Sequence, residues 1–179
     1  MNRVLWLKKA LVAGTAATAL CGANVAAAAV DMFLKVDFIA GESTDERHKG
    51  EIDIASFGWE IAPKSGDVGG RISKVCAHDI SFVKNVDKAS PLLVQHAMVG
   101  TTIPRATLSM RKAGGGQHDF IVIELTNVLI SSVSHSVSSS TSQLEQFTLN
   151  FGSATFTYKP QRADGSVDTA IVGQVSRSC

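Results

Sequence analysis

The chain has 179 residues, enough for one ordinary domain and hardly two. Hydrophobic residues make up 45% and charged residues 18%, which excludes a disordered chain. The 17 basic and 16 acidic side chains nearly cancel, and no Lys/Arg cluster marks a nucleic-acid partner.

Residues 1–29 have the pattern of an export signal. Arg3, Lys8 and Lys9 precede an uncharged apolar stretch, residues 11–20, and Ala27 and Ala29 form a small-residue cleavage site before Val30. The stretch is rich in Ala, Gly and Thr, a poor composition for a stable membrane span. Residues 30–179 are then the folded domain. Two cysteines remain in it. Cys76 and Cys179 can pair in an oxidising compartment, or stay as one buried and one terminal thiol.

Residues 32–39, MFLKVDFI, alternate, with Met32, Leu34, Val36 and Phe38 on one face of a strand. A polar loop follows over 40–50. Residues 51–61 alternate again and carry apolar side chains on both faces, as a strand covered on both sides or lying at a subunit contact would. Residues 63–71, PKSGDVGGR, read as a Gly-rich loop. Residues 72–86 read as a strand or two. The period then changes. Asp87 or Ser90 can cap a helix, Pro91 suits its first turn, and Gly100 ends it. Leu92, Leu93, Val94, Ala97 and Met98 give that helix an apolar stripe. Strands resume at 105–110, and a turn occupies 111–116. Residues 120–130 are the most apolar segment of the domain. The Ser-rich stretch 131–143 reads as a loop, although Val133, His135 and Val137 keep a period of two that would extend the strand. Residues 147–158 form the last strong strand run. This is a mainly antiparallel β domain with one short helix, closed as a barrel or sandwich to hide its edges.

Several phrases in one order carry a resemblance: GESTDERHKGEIDIASFGW at 41–59, DKASP at 87–91, RKAGG at 111–115, VLISSVS at 128–134, LNF at 149–151 and YKPQRADGS at 158–166. Together they resemble the Hcp (haemolysin-coregulated protein) family, the inner-tube proteins of the bacterial type VI secretion system. The resemblance implies an Hcp-like β-barrel of two antiparallel sheets with one short flanking α-helix. It implies homohexameric rings that stack into a hollow tube, carry small effector proteins and are themselves secreted. The implied partners are further copies of the chain, the contractile sheath, the tip spike protein and the effectors, with no cofactor. Pro63, Lys64, Ser65, Gly66, Asp67, Val68, Gly69, Gly70 and Arg71 match the position of the family's ring-stacking loop. Glu42, Asp45, Arg47 and Trp59 are candidates for contacts between subunits.

Two features depart from the family. Residues 170–179, AIVGQVSRSC, lack the usual Gly-Trp, which leaves the last strand open to question. The export signal is the other. Such a signal implies a periplasmic or extracellular protein, an exported ring or binding module working without the sheath. A start at Met32 would restore a cytoplasmic assembly stage. The five histidines, His48, His78, His96, His118 and His135, admit a hydrolase reading. However, there is no G-x-S-x-G, no H-E-x-x-H and no zinc spacing, so no catalytic or metal site is expected. A carbohydrate-binding module would show aromatic platforms, and the domain has only Trp59 and Tyr158 besides phenylalanines.

Overall fold

The computed structural model describes residues 29–63, 75–112, 118–136, 143–162 and 164–177. The stretch expected to be an export signal, all of 1–29 but Ala29, lies outside this set, as do loop residues 64–71 and Cys179. So do parts of the 111–116 turn and of the Ser-rich stretch.

The described residues are mainly strand, in antiparallel pairings throughout. Strand β1 (Val30–Val36) lies between β2 (Ile52–Asp53) and β7 (Ile103–Lys112). Strands β3 (Ser56–Gly58), β4 (Ile61–Pro63), β5 (Val75–Ala77) and β6 (Ile80–Asn85) precede the helix α1 (Ser90–Val99). After β7 come β8 (Asp119–Ser136), β9 (Leu144–Asn150), β10 (Ser153–Tyr158) and β11 (Ile171–Ser176).

The 18-residue strand β8 is the spine that the two main sheets share. Its first part pairs with β7 and β10, and its later part with β9. The change comes between Val128 and Leu129, next to Asn127 with its left-handed φ of 51°, and a bulge between Ile130 and Ser132 follows within the pairing to β9. One sheet therefore runs β2-β1-β7-β8-β10-β11 and the other β8-β9-β6-β3. The hairpin β4-β5 stands as a separate pair. Among the described residues the path of hydrogen-bonded strands does not close on itself, an open form of the expected barrel.

The core lies between the sheets. Leu34, Ile52, Ile80, Ile103, Ile123 and Leu149 are fully buried there, and Phe82 stacks on Phe147 at 5.2 Å between ring centroids. Each such aliphatic side chain contributes about 1.5–3 kcal/mol by leaving water.

Three stretches depart from the sequence expectation. Strand β1 stops at Val36, because Ile39 N–H turns back to the Val36 carbonyl and Phe38 takes a left-handed φ of 69°. Phe38 is consequently 77% exposed, while Phe33 is buried. Residues 51–61 are not one strand. They switch partners from β1 to β6 to β5, which explains why apolar residues fall on both faces. The run 147–158 is likewise two strands. Its first half pairs with β6 and the later part of β8, its second with the earlier part of β8, and Gly152 sits at the corner against Asn127.

The helix stops where its sequence signals require, with Gly100 in the left-handed region at φ 69°. Its start differs from the expectation: Ala89 stands at the N-cap with no side-chain cap, because the Asp87 carboxylate accepts from Ala89 N–H at 2.8 Å and the Ser90 hydroxyl accepts from Asp87 N–H at 3.2 Å, both ahead of the first turn. Its apolar stripe, however, is mostly unburied. Leu93 packs into the core, whereas Met98 is 83% exposed. The last strand, which the sequence left open, forms as β11 on the edge of its sheet.

Candidate assembly surface

The loop between β1 and β2 holds three of the four candidate contact residues. It folds back on itself through backbone hydrogen bonds: Gly41 N–H to Gly50 O at 2.8 Å, Ser43 N–H to Glu51 O at 3.0 Å, and Gly50 N–H to Ser43 O at 2.8 Å. The approach is so close that a Cβ on Gly41 would lie 2.2 Å from the Glu51 carbonyl oxygen, so only glycine fits.

Asp45 faces inward. Its carboxylate receives both terminal nitrogens of Arg111, Nη1 at 3.0 Å, and the backbone N–H groups of Arg47 and His48 at 2.9 and 3.2 Å. The Arg111 guanidinium, first among these, holds the Asp45 carboxyl well below the usual carboxylate range. The same pairing raises the Arg111 pKa. Arg111 is buried and lies over the Phe33 ring at 5.1 Å. On the ring sits His48, stacked at 4.3 Å. His48 reaches Glu51 with Nδ1 at 2.9 Å and Asp119 with Nε2 at 3.1 Å. Asp45 thus fastens the loop to β7, and the loop is a rigid platform.

Glu42 accepts from Lys88 N–H at 3.1 Å and ties the loop to the approach to α1. Arg47 is exposed beside Glu46 and Lys49, all on the outer side of the platform. Together with Lys35 and Phe38, Arg47 and Lys49 line an open cleft of about 530 Å³. Trp59 is half-buried with its ring edge-on to Phe151 at 5.8 Å, and its indole N–H has no hydrogen-bond partner among the described residues. Of the stacking-loop residues only Pro63 is described, at the end of β4.

Sequence reasoning missed the roles of Arg111 and His48. Arg111 reads as the start of a turn, and no local spacing reveals that Asp45 lies opposite it. The His48–Glu51 spacing of three was a usable hint. The partnership with Asp119, 71 residues on, was not legible.

A second buried charge group sits below the start of α1. Lys84 Nζ reaches Asp87 at 2.7 Å, Ser90 Oγ at 3.1 Å and Glu145 at 3.4 Å, and the His135 imidazole stands 2.7 Å from the other Glu145 oxygen. Both Lys84 and Glu145 are fully buried. Among the described residues, no cluster of His, Cys, Asp and Glu is arranged to hold a metal ion.

What the surface does offer is apolar side chains in exposed positions. On the β10-β11 edge, Tyr158 pairs with Ile171 and Thr157 with Val172, and Ile171 and Val172 are 64% and 56% exposed. Strand β11 hydrogen-bonds to β10 alone, so its outer edge is open among the described residues. Val99 and Met98 are exposed at the end of α1, and Ile61 and Val75 on the β4-β5 hairpin. Exposed apolar groups of this kind are material for protein contacts.

The fold and sequence match known proteins over most of the chain. Residues 33–158 match the family model described as type VI secretion system effector, Hcp. Protein hcp1 of Pseudomonas aeruginosa is 42% identical over 145 residues, spanning 78% of this chain and 90% of that one. The crystal structure of Hcp1 from Salmonella typhimurium superposes with a TM-score of 0.71 at 32% identity, covering 83% of this chain and 95% of that one. A type VI secretion system effector from Yersinia pestis gives a TM-score of 0.69 at 29% identity, with 82% and 99% covered. The chain belongs to the Hcp family of the type VI secretion system.

Proposed function

We propose that the chain is a structural subunit of the type VI secretion tube. Copies close into hexameric rings, the rings stack, and the tube so formed carries small effector proteins and is itself secreted. The observation that carries this reading is the match to Hcp proteins over nearly the whole domain. The open β11 edge with exposed Ile171 and Val172 supports it, since a cyclic ring needs two unlike surfaces on each subunit. Residues 63–71 act as the ring-stacking loop. Glu46, Arg47 and Lys49 face a neighbouring copy from the rigid platform, while Asp45 and Glu42 hold the platform in shape. The chain works by shape, not by catalysis, and its further partners are the sheath and the tip spike.

Light scattering on a size-exclusion column, with electron micrographs of the same fractions, tests this. Ring-sized particles with a central hole are expected. Monomers at every concentration and salt would overturn it.

A second reading is favoured by Arg3, Lys8 and Lys9, the apolar stretch 11–20 and the Ala27/Ala29 site. In that reading the protein is exported through its own signal and forms rings, or acts as a binding module, without the sheath. N-terminal sequencing of protein from the periplasm and medium separates the two. A terminus at Val30 supports the second, and a retained or Met32 start supports the first.

A further inference from the structure

Strand β11 is held by little along its length. Among the described residues it hydrogen-bonds to β10 alone, and of its six residues all but Val175 are exposed. An element with one-sided pairing and few buried apolar contacts opens at a low cost in free energy. The residue that follows it is held differently. Arg177 N–H donates to the Gly152 carbonyl at 2.9 Å, and Arg177 Nη1 reaches the Asp79 carboxylate at 2.7 Å. Asp79 lies in the turn between β5 and β6, so this contact crosses from the sheet that contains β11 to the sheet that contains β6.

Neutral donors on two further strands fix that carboxylate in place. Asn150 Nδ2, at the end of β9, stands at 3.1 Å, and the Ser131 hydroxyl at 2.5 Å. Ser131 is the residue passed over at the bulge between Ile130 and Ser132. Burial works against the Asp79 charge, yet the Ser131 and Arg177 contacts prevail and lower its pKa. Of the three partners only Arg177 is charged. We propose that Asp79 is a latch and β11 a strap. With the Arg177–Asp79 contact made, β11 is seated, and its outer edge with Ile171 and Val172 is the edge presented to a partner. With the contact broken, β11 lifts, and the presented edge is that of β10.

The latch sits at the end of the strap remote from its connection to β10. At the connected end the Tyr158–Ile171 pair and the Gln161–Val167 bridge hold the chain. Release therefore peels β11 inward from the Ser153–Ser176 pair. Arg177 and Asp79 are both part-exposed, so salt screens their attraction and biases the strap toward release. The seating of β11 is a property of a single chain. Its consequence for assembly rests on the ring reading above: a neighbour that covers β11 holds the strap down, and a seated strap presents the edge that the neighbour needs.

Hydrogen exchange of the full chain, read by mass spectrometry on sizing-column fractions of equal mass, tests the latch. Asp79→Asn and Arg177→Gln are each expected to speed exchange in residues 171–176 by about 5–50-fold and to leave residues 103–110 unchanged. The double variant should exchange no faster than either single one, and Arg177→Lys should fall between the parent and Arg177→Gln. Raised salt should speed exchange of residues 171–176 in the parent and not in the variants. Unchanged exchange in 171–176, an equal acceleration across 103–110, or effects that add in the double variant would each overturn the proposal. Ring formation is read separately, from the mass of the fractions, so the failure of either reading is distinguishable from that of the other.

Discussion

Asp45 and Arg111 show how one part-buried pair governs a whole loop. The carboxylate is fixed by the guanidinium and two backbone donors, so the folded chain binds a proton there far less readily than the unfolded chain. A depressed carboxylate pKa adds stability that is complete above the ordinary carboxylate range near pH 4. That stability is lost as the pH falls below this range toward the depressed value. Replacing Asp45 by Asn should therefore lower stability at neutral pH and flatten its fall below about pH 4. Urea denaturation followed by circular dichroism from pH 7 down to pH 2 checks this, and an unchanged acid slope would refute it. Lys84 makes a different case. Its ammonium is fully buried against Glu145, and Lys84→Met leaves that carboxylate in the core with only the His135 imidazole against it. Breaking a buried pair from one side costs about 3–5 kcal/mol. The double change Lys84→Met with Glu145→Leu should recover much of that loss, as a double-mutant cycle in urea would measure. Additive losses would mean that the pair is not coupled.

The elements divide into those that local chemistry specifies and those that pairing specifies. The helix was legible to the residue at its end, since Pro91 and Gly100 act through backbone geometry that needs no partner. Strand β8 was also legible, including its continuation through Val133 and His135, because a period of two persists there. Phe38 was not. Alternation places it on the buried face, but the left-handed turn that exposes it depends on the loop behind, which Gly41 and Asp45 hold shut. The breaks within 51–61 and 147–158 were invisible for a related reason. A strand that changes partners keeps its composition, and nothing in residues 54–55 or 151–152 says that the next hydrogen bond goes to another sheet. The helix stripe misled because apolar side chains can serve a surface as well as a core. Of the candidate contact residues, Asp45 reads from sequence as one more loop charge, and only the distant Arg111 turns it inward.

For the molecule as a whole, the open sheet is informative because it leaves an edge. A free-standing monomer with an uncovered β11 would expose backbone donors and acceptors beside Ile171 and Val172, an arrangement that natural sheets usually blunt with charge or proline. Residues 171–176 contain neither. If a neighbouring copy covers this edge in a ring, each aliphatic side chain buried there contributes about 1–2 kcal/mol to every contact. A closed ring repeats the contact around its circumference, so a modest local loss multiplies. Ile171→Asp with Val172→Asp places two carboxylates on that edge without touching the core, since both side chains already face solvent. The variant is expected to elute as a folded monomer at concentrations where the parent chain elutes as rings, with its far-ultraviolet circular dichroism unchanged. Rings that survive both charges would move the subunit contact away from β11 and onto the exposed end of α1 or the β4-β5 hairpin.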